Sequence, residues 1–303
     1  AAAYAAFARR YPGDQSSPGA WLKSADLLDA AGHEAAADEL RLAYLRRYPG
    51  DAETAMEILE ALARRELAAV DANHPISKLL GAAPRKGRTV RPPASRLADY
   101  LRRAAAHPKL ASRPMLAQVR FLQGEEAFAA FRATRLAQPL TRFLPAKQRS
   151  LDSVLVRYRR SADLQVAEWA HASAFRIGEA LQNFAEALER SERPADLEGD
   201  DLKAYEDVLM EQSRTFTERG EDVWTELLRQ ATAQEVGDAW TEKAQGTLWH
   251  RLGDRFFYRP EVEFPLVGGK PAARGAARDR GKLSSGDAAP VTPSVARRDG
   301  GPR

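Results

Sequence analysis

The chain has 303 residues, a length that suits either a substantial core or one elongated solenoid. It contains no cysteine, which excludes a disulfide framework and thiol chemistry, and no apolar run approaches the ~18–20 residues that a membrane-spanning helix needs. The net charge of +4 averages unlike regions: fifteen bases against three acids over 85–149, six bases against seventeen acids over 186–242, and eight bases against three acids over 267–303. This polarity suggests oriented docking, although solvated helix faces of uneven composition would give the same pattern.

A nine-residue phrase occurs twice near the start of the chain. Ala-Phe-Ala-Arg-Arg-Tyr-Pro-Gly-Asp at 6–14 returns 37 residues later as Ala-Tyr-Leu-Arg-Arg-Tyr-Pro-Gly-Asp at 43–51. Self-similarity at a fixed period of about 20–50 residues is typical of repeat arrays. In each copy the proline stops a helix and Gly-Asp redirects the chain. We therefore predict helical-hairpin repeats over 1–72.

The residues between the two copies support helical hairpins. Trp21 opens an amphipathic stretch, Gly32 breaks it, and a second helical run containing Ala37 and Tyr44 leads to Pro49. This order resembles the tetratricopeptide repeat, in which a small alanine lets two helices approach and aromatic side chains fill the space between them. The resemblance implies an all-α, right-handed helical-hairpin solenoid, which we predict to continue into a C-terminal helical domain.

The next two regions are predicted to be a linker and a weaker repeat. Residues 73–96 hold four prolines and two glycines, so we predict a Pro/Arg-rich loop or linker there. Residues 97–145 are predicted to be a degenerate helical repeat. Within them, Ala127 and Phe131 precede Pro139 at the spacings seen in the first hairpin, which predicts a third copy from Met115 to Pro139.

The region 146–266 is predicted to be a C-terminal helical domain that ends in an extended cap at 256–265. After Pro145 we expect helices over 151–158 and 166–188, then separate helices around 202–216, 223–228 and 240–252. Gly178 lies inside the second of these helices, and we predict that it lets a neighbouring helix come close. The basic tail 267–303 has no aromatic residue and is predicted to be disordered.

A second resemblance covers residues 147–248. This stretch is similar to envelope-associated tetratricopeptide proteins of myxobacteria and related bacteria, a group that includes the periplasmic component of a gliding-motility machinery. The residues that carry the likeness are Lys147, Leu151, Leu155, Tyr158, Trp169, Ala174, Ile177, Gly178, Asn183, Phe184, Ala185, Leu188, Pro194, Leu197, Tyr205 and Leu209. The resemblance implies a scaffolding role in a trans-envelope complex.

No residue pattern in the sequence points to catalysis, a metal or a cofactor. The histidines are His33, His74, His107, His171 and His250, and they occur singly without a metal-ligand spacing. No serine lies in a Gly-x-Ser-x-Gly motif, and no carboxylate pair stands out. We therefore predict a protein without enzymatic activity, catalytic residues, small-molecule substrate, metal or cofactor.

The predicted function is that of a protein–protein interaction scaffold in an envelope complex, periplasmic or outer-membrane associated, with the cytoplasm as the alternative compartment. Because the chain starts without methionine, we expect any signal peptide or lipid anchor upstream of Ala1. The predicted partner-binding residues are Trp21, Leu28, Arg85, Lys86, Arg88 and Arg91. Trp21 and Leu28 are expected to line a concave groove of the first repeats. The alternative is an adaptor that binds nucleic acid or anionic lipid through the basic loop 85–91 and the basic tail.

Overall fold

The computed structural model describes residues 1–70, 75–80 and 95–253, and in these ranges the chain forms eleven α-helices and no strand. The all-α prediction is therefore confirmed for this part of the chain. The helices are α1 Ala2–Arg10, α2 Ser17–Ala30, α3 Glu34–Arg47, α4 Ala52–Ala68, α5 Ile76–Leu80, α6 Arg96–Ala106, α7 Arg113–Ala133, α8 Leu140–Ala162, α9 Ala167–Glu189, α10 Gly199–Ala233 and α11 Ala239–Leu252.

The chain divides into two units, Ala1–Phe264 and Pro265–Arg303, and the second unit lies wholly outside the described residues. The predicted cap at 256–265 and the predicted basic tail also lie outside them. The predicted linker 73–96 is described only at 75–80 and 95–96, where the short helix α5 and the start of α6 occur.

Both copies of the repeated phrase end a helix, as predicted. Helix α1 ends at Arg10 and α3 ends at Arg47, each directly before the Tyr-Pro-Gly-Asp turn. Asp51 of the second copy then caps α4, because its Oδ1 accepts a hydrogen bond from the Thr54 backbone N–H at 3.1 Å. Gly32 makes the turn between α2 and α3 at a φ of +77°, a conformation that glycine adopts without strain.

The helices bury their apolar faces in successive clusters along the chain. Helices α1, α2 and α3 pack side by side over a cluster rich in alanine. Helix α4 packs chiefly against α6, and this pair shares a second cluster with α5 and α7. Helices α7 to α10 enclose an aromatic core, and α9, α10 and α11 share a smaller cluster around Trp224.

Two predicted helix breaks are absent, and both carry a glycine. The predicted third copy from Met115 is not a hairpin, because α7 runs unbroken from Arg113 to Ala133. The helices predicted around 202–216 and 223–228 are the single helix α10, which includes Gly220. A Cβ at Gly124 would lie 2.6 Å from the Tyr158 ring, and one at Gly220 would lie 2.8 Å from Gln182 Nε2. These glycines therefore permit close helix packing rather than a turn.

Pro145 was predicted to precede a helix. It lies instead within the second turn of α8. As the sixth helical residue, Pro145 lacks the N–H that would bond to the Thr141 carbonyl oxygen, and α8 nevertheless continues to Ala162. The prediction for Gly178 is confirmed. A Cβ at this position of α9 would lie 2.2 Å from Nε1 of Trp224 on α10, so only glycine lets the indole approach the α9 backbone this closely.

Candidate functional site

The candidate site is a groove of about 780 Å³ between α1 and α3, with α2 beneath it. We call it the α1–α3 groove and define it by Ala5, Arg9, Trp21, Leu28, Leu40 and Arg46, which all line it. Two of the predicted partner-binding residues, Trp21 and Leu28, therefore lie together in one groove. Their role in binding stays a prediction.

Small side chains open this groove. Ala2 and Ala5 of α1 face it from one side, and Ala36 and Ala43 of α3 face it from the other. Alanine side chains leave space that leucine or phenylalanine at the same positions would fill. Leu40 adds apolar surface to the wall, so the groove offers both apolar and polar contacts.

The indole of Trp21 lies at the base of the groove. Its side chain is 7% exposed, and its Nε1–H is shielded from solvent without an acceptor in the described part of the chain. Such an unpaired buried donor costs about 1–3 kcal/mol relative to a satisfied one. The guanidinium carbon of Arg9 lies 5.6 Å from the centroid of the Trp21 ring, within the range of a cation–π contact.

Arg9 and Arg46 occupy equivalent positions in the two copies of the repeated phrase, 37 residues apart. Arg9 lies in the last turn of α1 and Arg46 in the last turn of α3, and both are exposed on the groove walls. Neither forms an ion pair with any described residue. Sequence reasoning missed both as site residues, although the repeat itself was the signal that could have identified them.

Two other arginines of this region, Arg41 and Arg65, are paired with acids, unlike Arg9 and Arg46. Nη2 of Arg41 lies 2.5 Å from Oδ2 of Asp29, and Nη2 of Arg65 lies 2.9 Å from Oδ1 of the same carboxylate. Asp38 joins both arginines as well. These acids neutralise the surface where α2, α3 and α4 meet, whereas the groove carries one carboxylate, Glu39, against two arginines.

The predicted basic residues Arg85, Lys86, Arg88 and Arg91 all lie outside the described residues. The described lining of the α1–α3 groove comes from α1, α2 and α3.

The C-terminal helices contain buried polar groups that serve packing. Lys147 is 2% exposed, and its Nζ donates to the carbonyl oxygens of Phe131 at 2.7 Å and Thr134 at 2.6 Å, which end helix α7. A positive charge at a helix C-terminus is favourable, yet burial lowers the pKa of Lys147 to about 8. The sequence gives no signal for this contact, because its acceptors are backbone atoms.

A second polar cluster joins α7, α8 and α9. Glu125 accepts a hydrogen bond from the Tyr158 hydroxyl at 2.6 Å and another from Nη2 of Arg176 at 2.9 Å. Nη1 of Arg176 also donates to Glu179 at 2.6 Å. Burial, and then the nearby Glu125 carboxylate, raise the pKa of Tyr158 above its usual range. The charges of Glu125, Arg176 and Glu179 are all paired within this interhelical cluster.

Metal-binding clusters and membrane-spanning helices are both absent from the described residues. Within these ranges, no three His, Asp or Glu side chains are grouped as a metal ion would require. None of the described helices combines the length and apolar character needed to cross a membrane.

The chain matches no known family model, no curated protein and no solved structure.

Proposed function

We propose that the protein is a non-enzymatic scaffold that binds a segment of another protein in the α1–α3 groove. The observation that carries this proposal is the groove itself, which combines apolar surface with two exposed arginines that form no ion pair among the described residues. A peptide could bury apolar side chains against Leu28 and Leu40 while it offers acceptors to Arg9 and Arg46.

The tetratricopeptide-like arrangement belongs to the same proposal. Its support is the 37-residue repeat, together with the side-by-side packing of α1, α2 and α3. Arrays of helical hairpins expose extended surfaces that suit protein partners. The likeness of residues 147–248 to envelope-associated proteins leads us to propose a periplasmic or outer-membrane location in an assembly such as a gliding-motility complex.

A peptide selection tests the binding role directly. A random library of twelve-residue peptides is displayed and selected against the whole chain, and the enriched peptides are synthesised and titrated against variants. Ala36→Trp places a large side chain on the groove wall at an exposed position, so it fills the groove without entering the core. Ala61→Trp is the matched control, because Ala61 is exposed on α4 outside the groove.

We expect selected peptides that lose binding to Ala36→Trp and retain it with Ala61→Trp. Peptides that bind the wild type and both variants equally would place the binding surface elsewhere and contradict the proposal. The proposed compartment is tested separately, by producing the protein with its native upstream sequence in a Gram-negative host. Externally added protease should cleave the protein in spheroplasts, and complete protection there would argue against a periplasmic location.

A further inference from the structure

We infer that the partner segment of the α1–α3 groove is acidic, with carboxylates that pair with Arg9 and Arg46 on either side of an apolar contact. This inference rests on the proposed function and specifies the chemistry of the partner. It assigns a role to a basic pair that forms no ion pair within the described residues.

The basic positions of the groove are repeated. Arg9 and Arg46 are related by the same 37-residue shift that relates the two copies of the phrase. Both line the groove, so the repeat places one guanidinium on each wall. Glu39, the acid that also lines the groove, corresponds in the first copy to Ala2. The basic charge is therefore repeated across the groove and the acidic charge is not.

This basic pair has no acidic partner within the described chain. Arg41 and Arg65 are held by the carboxylates of Asp29 and Asp38, whereas no described ion pair involves Arg9 or Arg46. The fork of donors on a guanidinium matches a carboxylate in geometry and charge. Arg9 is further oriented by its position over the Trp21 ring, which reduces the conformational entropy lost on binding.

The base of the groove favours a peptide over a nucleic acid. Single-stranded nucleic acid binds on aromatic side chains whose ring faces are open to stacking bases. The aromatic residue in this groove is Trp21, which is 7% exposed and has Arg9 over its ring. Leu28, Leu40 and the surrounding alanines offer an apolar contact instead. An acidic peptide with one or two apolar side chains fits this lining.

The chain offers a closely matched pair of double variants for the test. Arg9→Gln with Arg46→Gln removes the groove arginines, and Arg10→Gln with Arg47→Gln removes their sequence neighbours. All four arginines are exposed in the last turn of α1 or α3, but Arg10 and Arg47 do not line the groove. The two double variants therefore lose equal charge from the same helix ends.

We expect the groove-dependent peptides from the twelve-residue library to be enriched in Asp and Glu. The Arg9/Arg46 variant should bind them about tenfold more weakly, as two partly exposed ion pairs would predict, and the Arg10/Arg47 variant should bind within about twofold of wild type. Raising the salt concentration should weaken the wild type more than the Arg9/Arg46 variant.

The outcomes that would contradict the inference are distinguishable. Peptides that are blocked by Ala36→Trp but are not enriched in acids, and that bind the Arg9/Arg46 variant as tightly as the wild type, would overturn the inference and leave the proposed function intact. A selection in which no peptide distinguishes Ala36→Trp from wild type would overturn both. Displacement of the selected peptides by a twelve-nucleotide oligo-dT, with tighter binding than the peptides, would overturn the assignment of a protein partner.

Discussion

Helices α1–α3 and helices α7–α10 bury different kinds of side chain, and their surfaces differ accordingly. Five of the ten buried residues in the alanine-rich cluster of α1–α3 are alanines, and further alanines at 2, 36 and 43 line the α1–α3 groove. The aromatic core of α7–α10 buries phenylalanine and tyrosine side chains, with further aromatics packed against it. In the second region, glycines at 124, 178 and 220 let neighbouring helices approach closely.

The comparison indicates that the two regions differ in packing and in the surface that they expose. Close packing with partnered buried charges stabilises the C-terminal helices, whereas the N-terminal helices keep apolar and basic surface available. Large buried aromatic side chains contribute most to stability, so substitutions should have unequal effects in the two regions. The inequality should be largest where an aromatic side chain is removed.

Truncation of a phenylalanine should be far more costly in the second region. Phe184 on α9 is 0% exposed, and its ring centroid lies 4.5 Å from that of Phe216, so Phe184→Ala should lower the free energy of unfolding by about 3–5 kcal/mol. Phe7 on α1 is 37% exposed, and Phe7→Ala should cost less than about 1 kcal/mol. Urea denaturation measures both. Equal losses, or a loss below about 1 kcal/mol for Phe184→Ala, would contradict the comparison.

Substitution by alanine should distinguish a glycine that a neighbouring helix packs against from a glycine that faces open space. A Cβ at Gly178 would lie 2.2 Å from Nε1 of Trp224, an indole that is 1% exposed and donates to the Phe175 carbonyl at 3.0 Å. Gly178→Ala should therefore destabilise the protein by about 1–3 kcal/mol. A methyl at Gly246 in α11 would meet no neighbouring helix within 4 Å among the described residues, so Gly246→Ala should stabilise by up to ~1 kcal/mol. Thermal unfolding of both variants would show opposite shifts, and a stabilising Gly178→Ala would contradict the close approach of α10.

These glycines also show what the sequence could and could not predict. Gly32 and Gly220 look alike as interruptions of helical patterns, but Gly32 forms a turn and Gly220 lies within α10. The difference comes from a neighbouring helix, since Gln182 and the carbonyl of Gly178 lie against Gly220. A single sequence does not specify which helices meet. Helix ends marked by Tyr-Pro-Gly-Asp were predictable, because their cause is local.

The candidate site was predictable to the same extent. Trp21 and Leu28 were identified from the hairpin pattern, and they lie in the groove because their seven-residue spacing places both on one face of α2. Arg9 and Arg46 were missed because a basic residue in the last turn of a helix has an ordinary explanation in the helix dipole. Only the packing of α1 beside α3 across α2 shows that the two arginines line one groove.

The buried lysine of the second region predicts a dependence of stability on pH. Burial lowers the pKa of Lys147 from its usual 10.5 to about 8, so between pH 8 and 10.5 the unfolded chain binds more protons than the folded one. Stability should therefore rise with pH in this window. Relative to Lys147→Met, the wild type should gain about 1–2 kcal/mol between pH 8 and 9.5. Urea denaturation at both pH values measures the difference, and an unchanged or falling difference would show that the ammonium remains charged in the fold.

The smallest expected effect compares the two copies of the repeated phrase. The Tyr44 hydroxyl, on a side chain 2% exposed, donates to Oδ2 of Asp51 at 2.7 Å, and that carboxylate caps α4. Tyr44→Phe removes this bond and should cost about 1 kcal/mol in urea denaturation. The equivalent residues of the first copy are Phe7 and Asp14, where the phenyl ring is exposed.

Phe7→Tyr would supply the missing hydroxyl, yet it should change the free energy of unfolding by less than about 0.5 kcal/mol, because water competes for an exposed hydrogen bond. A gain from Phe7→Tyr as large as the loss from Tyr44→Phe would mean that the two copies provide the same environment. The difference in stability between the two turns would then come only from phenylalanine at position 7 and tyrosine at position 44. Unequal effects would instead show that the contacts around each copy, and not its own residues, determine the strength of the turn.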